Sequence, residues 1–177
     1  MATNPITQVD SIIRQSLVSL AQELLQGDWK GRREREVVSL FCFGHLVQKC
    51  APGTVLHDPS QISIEVAVPQ ISGQTDLTTK AANKAQVCKD IVLWPRPRMV
   101  AWDDLGKAMV SPMSILEWKH NEGAVSDYDV SWLCHFSAER PDFVGYAVCS
   151  NLPAKGFTLS CTRVVLGQRE DRWLHQE

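Results

Sequence analysis

No stretch of this 177-residue chain approaches the roughly 20 consecutive apolar residues that a membrane-spanning helix needs. Met1 to Gln8 contain no basic segment leading into an apolar one, so no signal peptide is expected, and the expected compartment is the cytoplasm. Internal repeats, low-complexity stretches and obvious linkers are missing too. These absences argue against solenoids and multi-domain arrays and leave a single domain over 1–177 as the expectation.

Close cysteine pairs are also lacking. Cys42, Cys50, Cys88, Cys134, Cys149 and Cys161 lie far apart, with no C-x-x-C among them. Structural zinc sites usually draw their ligands from such pairs, so zinc is disfavoured. All but Cys50 stand in apolar segments and are expected to be small buried thiols. Positive charge is not in excess either. The 18 Lys and Arg face 20 Asp and Glu, for a net charge of −2. Nucleic-acid-binding domains are commonly basic. Any hold on a polyanion must therefore come from local clusters, of which Lys30, Arg32, Arg33 and Arg35 form one, and Arg96 with Arg98 another.

What is present suffices for a globular core: 44% hydrophobic and 21% charged residues. Ile12, Ile13, Leu17, Leu20 and Leu24 recur at helical spacing and predict a helix from about Val9 to Leu25. A second helix is expected over Gly31 to Lys49, with Val37, Leu40, Phe41, Phe43 and Val47 on a broad buried face, closed by Pro52-Gly53. Alternation at Ile62, Ile64, Val66 and Val68 predicts a strand. Ser72 to Asn83 reads as a loop or short helix, Val87 to Trp94 as a strand, and Met99 to Trp102 as a possible short one. Met113 to His120 is a further strand, and Ser126 to Ala138 a helix opened by Ser126 and Asp129. Phe143 to Cys149 and Phe157 to Leu166 complete the pattern. The fold class expected is α/β (α+β), a mixed central sheet flanked by helices.

The chemistry concentrates in Met113-Ser-Ile-Leu-Glu-Trp-Lys-His120. Side chains two apart in a strand share a face, so Ile115, Glu117 and Lys119 oppose Leu116 and Trp118. A carboxylate and an ammonium against an apolar body are costly unless paired or used. Asp90 opens the apolar strand Asp-Ile-Val-Leu-Trp94. Were that strand to pair with 113–119, two carboxylates and one lysine would converge. Such a set suits phosphoryl hydrolysis: carboxylates hold a hard cation, and a lysine stabilises nucleophile and developing charge.

Asp90 followed by Glu117-Trp118-Lys119 resembles the signature of the PD-(D/E)XK nuclease superfamily, whose core is restriction-endonuclease-like. The order helix with glutamate, three strands, helix, strand is similar over roughly Gly31 to Val148. The resemblance implies a core at 31–150, a helical extension at 1–27, and a C-terminal strand and tail at 151–177. It implies a Mg²⁺-dependent endonuclease, with Mn²⁺ as a substitute, acting on DNA. Asp90 and Glu117 would ligate the metal together with the Trp118 carbonyl, and Lys119 would act in catalysis. The helical glutamate would be Glu36 or Glu34: 36, 40, 43 and 47 follow the expected apolar stripe, whereas Glu34-Arg-Glu-Val-Val38 looks like the archaeal Holliday-junction resolvase branch. Lys89 stands where the family's proline would, and the long gap from Asp90 to Glu117 calls for an extra hairpin. The low charge points to a homodimer or to a partner subunit that supplies DNA recognition. The rival reading is a non-catalytic domain of the same fold that binds nucleic acid or protein. Glu65 is expected to be an ordinary half-exposed strand residue, Asp103 and Asp104 turn formers, His120 a strand end, and His45 a satisfied core residue.

Overall fold

The computed structural model describes residues 4–26, 29, 31, 33–71, 85–153 and 156–177. Helix α1 spans Pro5–Gln26, longer than its apolar periodicity suggests. Asn4 Oδ1 accepts from the Ile6 N–H at 2.9 Å and Pro5 supplies a preset φ, which together start the helix a turn early. Helix α2 covers Glu34–Leu40 and runs on through a π turn at Phe41–Leu46 and a 3₁₀ turn at Val47–Lys49. Its buried positions are Val37, Val38, Phe41, Cys42, His45 and Leu46, while Phe43 is 66% exposed. The expected stripe through 36, 40, 43 and 47 is therefore displaced around the helix by about one residue.

Six strands follow the two helices: β1 Ile62–Pro69, β2 Gln86–Leu93, β3 Ser114–His120, β4 Val144–Asn151, β5 Thr158–Val165 and β6 Gln168–Gln176. Helix α3, Asp127–Ala138, lies between β3 and β4 and is capped by Ser126, which accepts from the Asp129 N–H. The loop or helix expected at Ser72 to Asn83 falls outside the described residues. Met99 to Trp102 is not a strand: between β2 and β3 a single bridge joins Trp102 to Ala108. Strand β6 is not evident from the sequence. It forms because Leu166 and Gly167 both take positive φ (51° and 75°), the geometry of a two-residue hairpin. Leucine in place of Asn or Asp hides that turn, and Gln168 to Arg172 is too polar to show alternation.

The strands lie in the order β1-β2-β3-β4-β5-β6, all neighbours antiparallel except β3 and β4. Parallel neighbours need a crossover, and α3 supplies it. It lies close on the sheet because Gly145 has no side chain: a Cβ there would meet Leu133 Cδ2 at 2.9 Å. Among the described residues the protein is thus a mixed α/β fold with a six-stranded sheet and three α-helices. One face packs Leu116, Trp118, Tyr146 and Val148 against Ile13, Leu17 and Leu20 of α1 and Val37 and Phe41 of α2. The other packs Val92, Ile115 and Val164 against Trp132, Leu133 and Phe136 of α3. Segments 1–27 and 151–177 contribute to the first core through α1 and through Leu159 and Leu174. Asp10 of α1 is also tied to β5, accepting from Arg163 Nε and Nη2 at 2.8 and 2.9 Å.

Besides a register shift between β5 and β6 at Cys161 to Arg163, the sheet is irregular in β1. Ile62 and Ile64 pack in the first core, yet Val66 and Val68 pack in the second. A regular strand keeps residues two apart on one face. The exchange occurs at Glu65, whose φ is 51°. Opposite it, β2 changes faces across Asp90, with Ile91 and Leu93 in the first core and Val87 in the second. The β2–β3 ladder stops at Ile91–Leu116, while β3–β4 pairing continues to His120–Ser150. Beyond Ile91, therefore, β2 parts from β3, and Asp90 sits at the parting.

Candidate active site

Strands β2 and β3 and helix α2 bring residues of the sequence motif to this gap. Asp90 reaches from β2 toward β3, and its Oδ2 accepts from the Trp118 N–H at 2.7 Å. In an extended strand the carbonyl of a residue points the same way as its N–H, so the Trp118 carbonyl is directed to the same side. Glu117 is 5% exposed, and its carboxyl and that of Asp90 act on each other's ionisation. Lys119 Nζ lies 3.3 and 3.2 Å from the two carboxylate oxygens of Glu34, in the first turn of α2. Asp90, Glu117, Lys119 and Glu34 are thus brought together.

Glu36 is not. Its carboxylate accepts from the Arg33 N–H at 3.2 Å and braces the start of α2. The displaced stripe explains the difference. Positions 34, 38, 41 and 45 continue the buried line of α2, and 36 does not.

Burial dominates the electrostatics. It pushes the Glu117 carboxyl up to about 8, with Lys89 opposing and Asp129 and Asp90 adding to the rise. It raises Asp90 too, against the Trp118 N–H and the Lys119 charge. Glu34 is raised by burial despite its lysine partner. For Lys119, burial works against the charge, but Glu34, Asp90 and Asp129 outweigh it and hold the ammonium more firmly protonated. In each carboxyl burial thus outweighs the compensation its partners supply, and an added cation would favour the charged form.

Two site residues were not signalled by the motif. Lys89 is 1% exposed; its Nζ pairs with Glu117 Oε1 and sits 3.9 Å from the centre of the Trp132 ring. The sequence offers one hint, a lysine next to Asp90 in a largely apolar strand. Asp129 at the start of α3 acts on Asp90, Glu117 and Lys119 through its charge. It reads from sequence only as part of the helix cap. Glu65, expected to be an ordinary strand residue, instead holds Arg35 by two contacts of 2.6 and 2.9 Å. Arg33, Glu34, Arg35, Val38, Glu65 and Asp90 line an open cleft of about 300 Å³.

Other candidates lie elsewhere. The chain around Arg98 is anchored to the Ser60 carbonyl, past the Leu93 end of β2 and away from the gap, so Arg96 and Arg98 do not flank it as their sequence position suggests. Lys30 and Arg32 fall outside the described residues. His120 Nδ1 and Trp118 Nε1 both meet Ser150 Oγ, at 2.9 and 2.8 Å, inside the core. His45 lies between Ser19 and Glu23. Asp103 shapes a turn by accepting from the Leu105 and Lys107 N–H groups. All six cysteines are free thiols, and Cys88, against expectation, is exposed at the outer end of β2.

Among the described residues no three His, Cys, Asp or Glu side chains form a complete metal cage. The donors at the gap are two carboxylates and a strand carbonyl. That all-oxygen set fits a hard cation which keeps several of its waters, and not zinc. No family model matches the chain, and neither does any curated protein or solved structure.

Proposed function

We propose that this chain is a metal-dependent nuclease that hydrolyses DNA phosphodiester bonds at a PD-(D/E)XK-type site in a restriction-endonuclease-like core. The observation that carries the reading is the meeting of Asp90, Glu117, Lys119 and Glu34 where β2 parts from β3. The element order supports it: a helix with Glu34, a strand, a strand with Asp90, a strand with Glu117 and Lys119, a helix, and a strand parallel to the third. Asp90, Glu117 and the Trp118 carbonyl are the groups that would hold Mg²⁺ or Mn²⁺. Bound there, the ion would supply Lewis acidity and a more acidic water.

The chain's own residues divide the remaining work. Lys119 presents ammonium donors to the attacking oxygen and to the negative charge that gathers on the phosphoryl group. Glu34 orients Lys119 and keeps it protonated. The Trp118 N–H fixes the Asp90 carboxylate. Arg33 and Arg35 line the adjoining cleft, where a phosphate backbone would run.

Incubating the purified chain with labelled DNA tests the reading. Cleavage is expected with Mg²⁺ or Mn²⁺, none with EDTA, and a loss of about 10²–10³-fold for Lys119→Met, the scale of removing one transition-state donor. Metal-independent cleavage, or full activity in Lys119→Met, would refute it. One observation favours the non-catalytic alternative. Glu117 and Glu34 each already hold a lysine, as in a site that binds but does not cut. Metal-stimulated DNA binding without any cleavage is the outcome that alternative requires.

A further inference from the structure

Arg35 and Glu65 meet on the wall of the cleft that leads to Asp90. Arg35 Nε and Nη2 donate to the two oxygens of the Glu65 carboxylate at 2.6 and 2.9 Å, so one anion occupies one whole edge of the guanidinium. The pair stands in water, with the arginine side chain 74% exposed and the glutamate 45%.

An exposed pair of this kind contributes little to stability, and salt screens it. The backbone that delivers it is costly by comparison. Glu65 takes a φ of 51°, a left-handed conformation that side chains other than glycine and asparagine seldom adopt. It falls between the ladder pairs Ile64–Ile91 and Val66–Lys89, across from Asp90. Kinks of this sort re-aim a side chain beside an active site, and here the re-aimed carboxylate lines the cleft with Glu34 and Asp90. The ion pair is too weak to account for the conformation by stability alone.

What Glu65 offers Arg35 is a pair of oxygens on one atom. The two non-bridging oxygens of a phosphodiester offer the same pattern. Carboxylate and phosphate therefore compete for one edge of one guanidinium. We propose that Glu65 is a built-in stand-in for phosphate: it occupies Arg35 in the free protein and yields it to a phosphodiester group of the bound strand. Arg35 is then a substrate-contacting residue, and Glu65 sets how tightly the cleft grips a nucleic-acid backbone. Binding exchanges one ion pair for another, so Arg35 adds little net affinity for an arbitrary polyanion. This rests on the nuclease reading above.

A double-mutant cycle on the full chain tests it by binding rather than cleavage. Fluorescence anisotropy of a labelled DNA duplex, with Ca²⁺ in place of Mg²⁺, is followed across a salt series. Glu65→Gln should bind roughly two- to fivefold more tightly at low salt, the scale of releasing an exposed ion pair. Its plot of log affinity against log salt should steepen by about one phosphate contact. In an Arg35→Gln background the same change should lose most of that gain. Circular dichroism checks the fold. Should Glu65→Gln not fold, Glu65→Asn, which suits a positive φ and is a methylene shorter, is judged by the same criterion. An equal gain with and without Arg35 would show that Glu65 only repels the polyanion and would overturn the inference. No gain in Glu65→Gln would overturn it as well, and both outcomes leave the nuclease reading standing. No DNA binding at low salt by the wild type or any variant would instead remove that reading, and this inference with it.

Discussion

At the residue scale, Asp90 and Glu117 look alike in the motif but differ in their surroundings. Asp90 accepts a backbone N–H and touches no cation directly, whereas Glu117 is the partner of a buried lysine. Asp90→Asn keeps an acceptor for the Trp118 N–H and removes a charge that burial disfavours. Urea unfolding of the metal-free variant should show stability equal to the wild type or higher. Glu117→Ala strands Lys89 in the core. Above pH 8, where Glu117 is ionised, it should cost about 3–5 kcal/mol, the usual penalty for breaking a buried pair. Equal losses in the two variants would show that the lysine does not distinguish them. The sign of the pH dependence follows from the raised Glu117. Folding makes this acid hold its proton more tightly, so the metal-free protein should lose stability as pH rises from 4.5 to about 8, then level off. Glu117→Gln should remove most of that slope.

At the scale of elements, the phase of α2 selects the helical glutamate. Glu34→Gln should reduce cleavage by tenfold or more on the scale of lost charge-assisted hydrogen bonds, about 1.5–3 kcal/mol. Glu36→Gln should leave it near wild type, because glutamine also serves in a capping box. The reverse ranking of initial rates would place the wrong turn of α2 at the site. The strands bearing Asp90 and Glu117-Lys119 are legible because their apolar neighbours mark them locally: Ile91 to Leu93 give a strand, and Leu116 with Trp118 give strand and face. The phase of α2 was not. Val37 and Val38 against Leu40 and Phe43 offer two nearly equal apolar stripes, and only packing against β3 decides between them. The parting of β2 from β3 was also beyond local pattern. It depends on Glu65 adopting a left-handed conformation opposite Asp90, and alternation at Ile62 to Val68 gives no sign of the exchange of faces. The role of Lys89 is not local either: its partner Trp132 lies 43 positions away, on the crossover helix.

At the scale of the whole molecule, charge limits how the protein meets its substrate. With a net charge of −2, affinity for a polyanion must come from few contacts. Arg33 and Arg35 lie by the cleft, Arg35 shared with Glu65, whereas Arg96 and Arg98 are directed elsewhere. A monomer should therefore bind DNA weakly with a shallow salt slope, and a homodimer or partner subunit should be needed for tight binding. A salt titration with Ca²⁺ in place of Mg²⁺, alongside the solution mass, decides this; steep, tight binding by a monomer would contradict it.

If the gap between β2 and β3 holds a nuclease site as proposed, Asp90→Asn probes it with the least disturbance to the fold. The decisive measurement is the single-turnover rate of DNA cleavage in saturating Mg²⁺ by the wild type and by this variant, with unfolding curves recorded for both. Metal-dependent cleavage is expected of the wild type, with a loss of at least about a hundredfold in an equally stable variant. Cleavage by Asp90→Asn at the wild-type rate, or none by a correctly folded wild type on any DNA form, would contradict it.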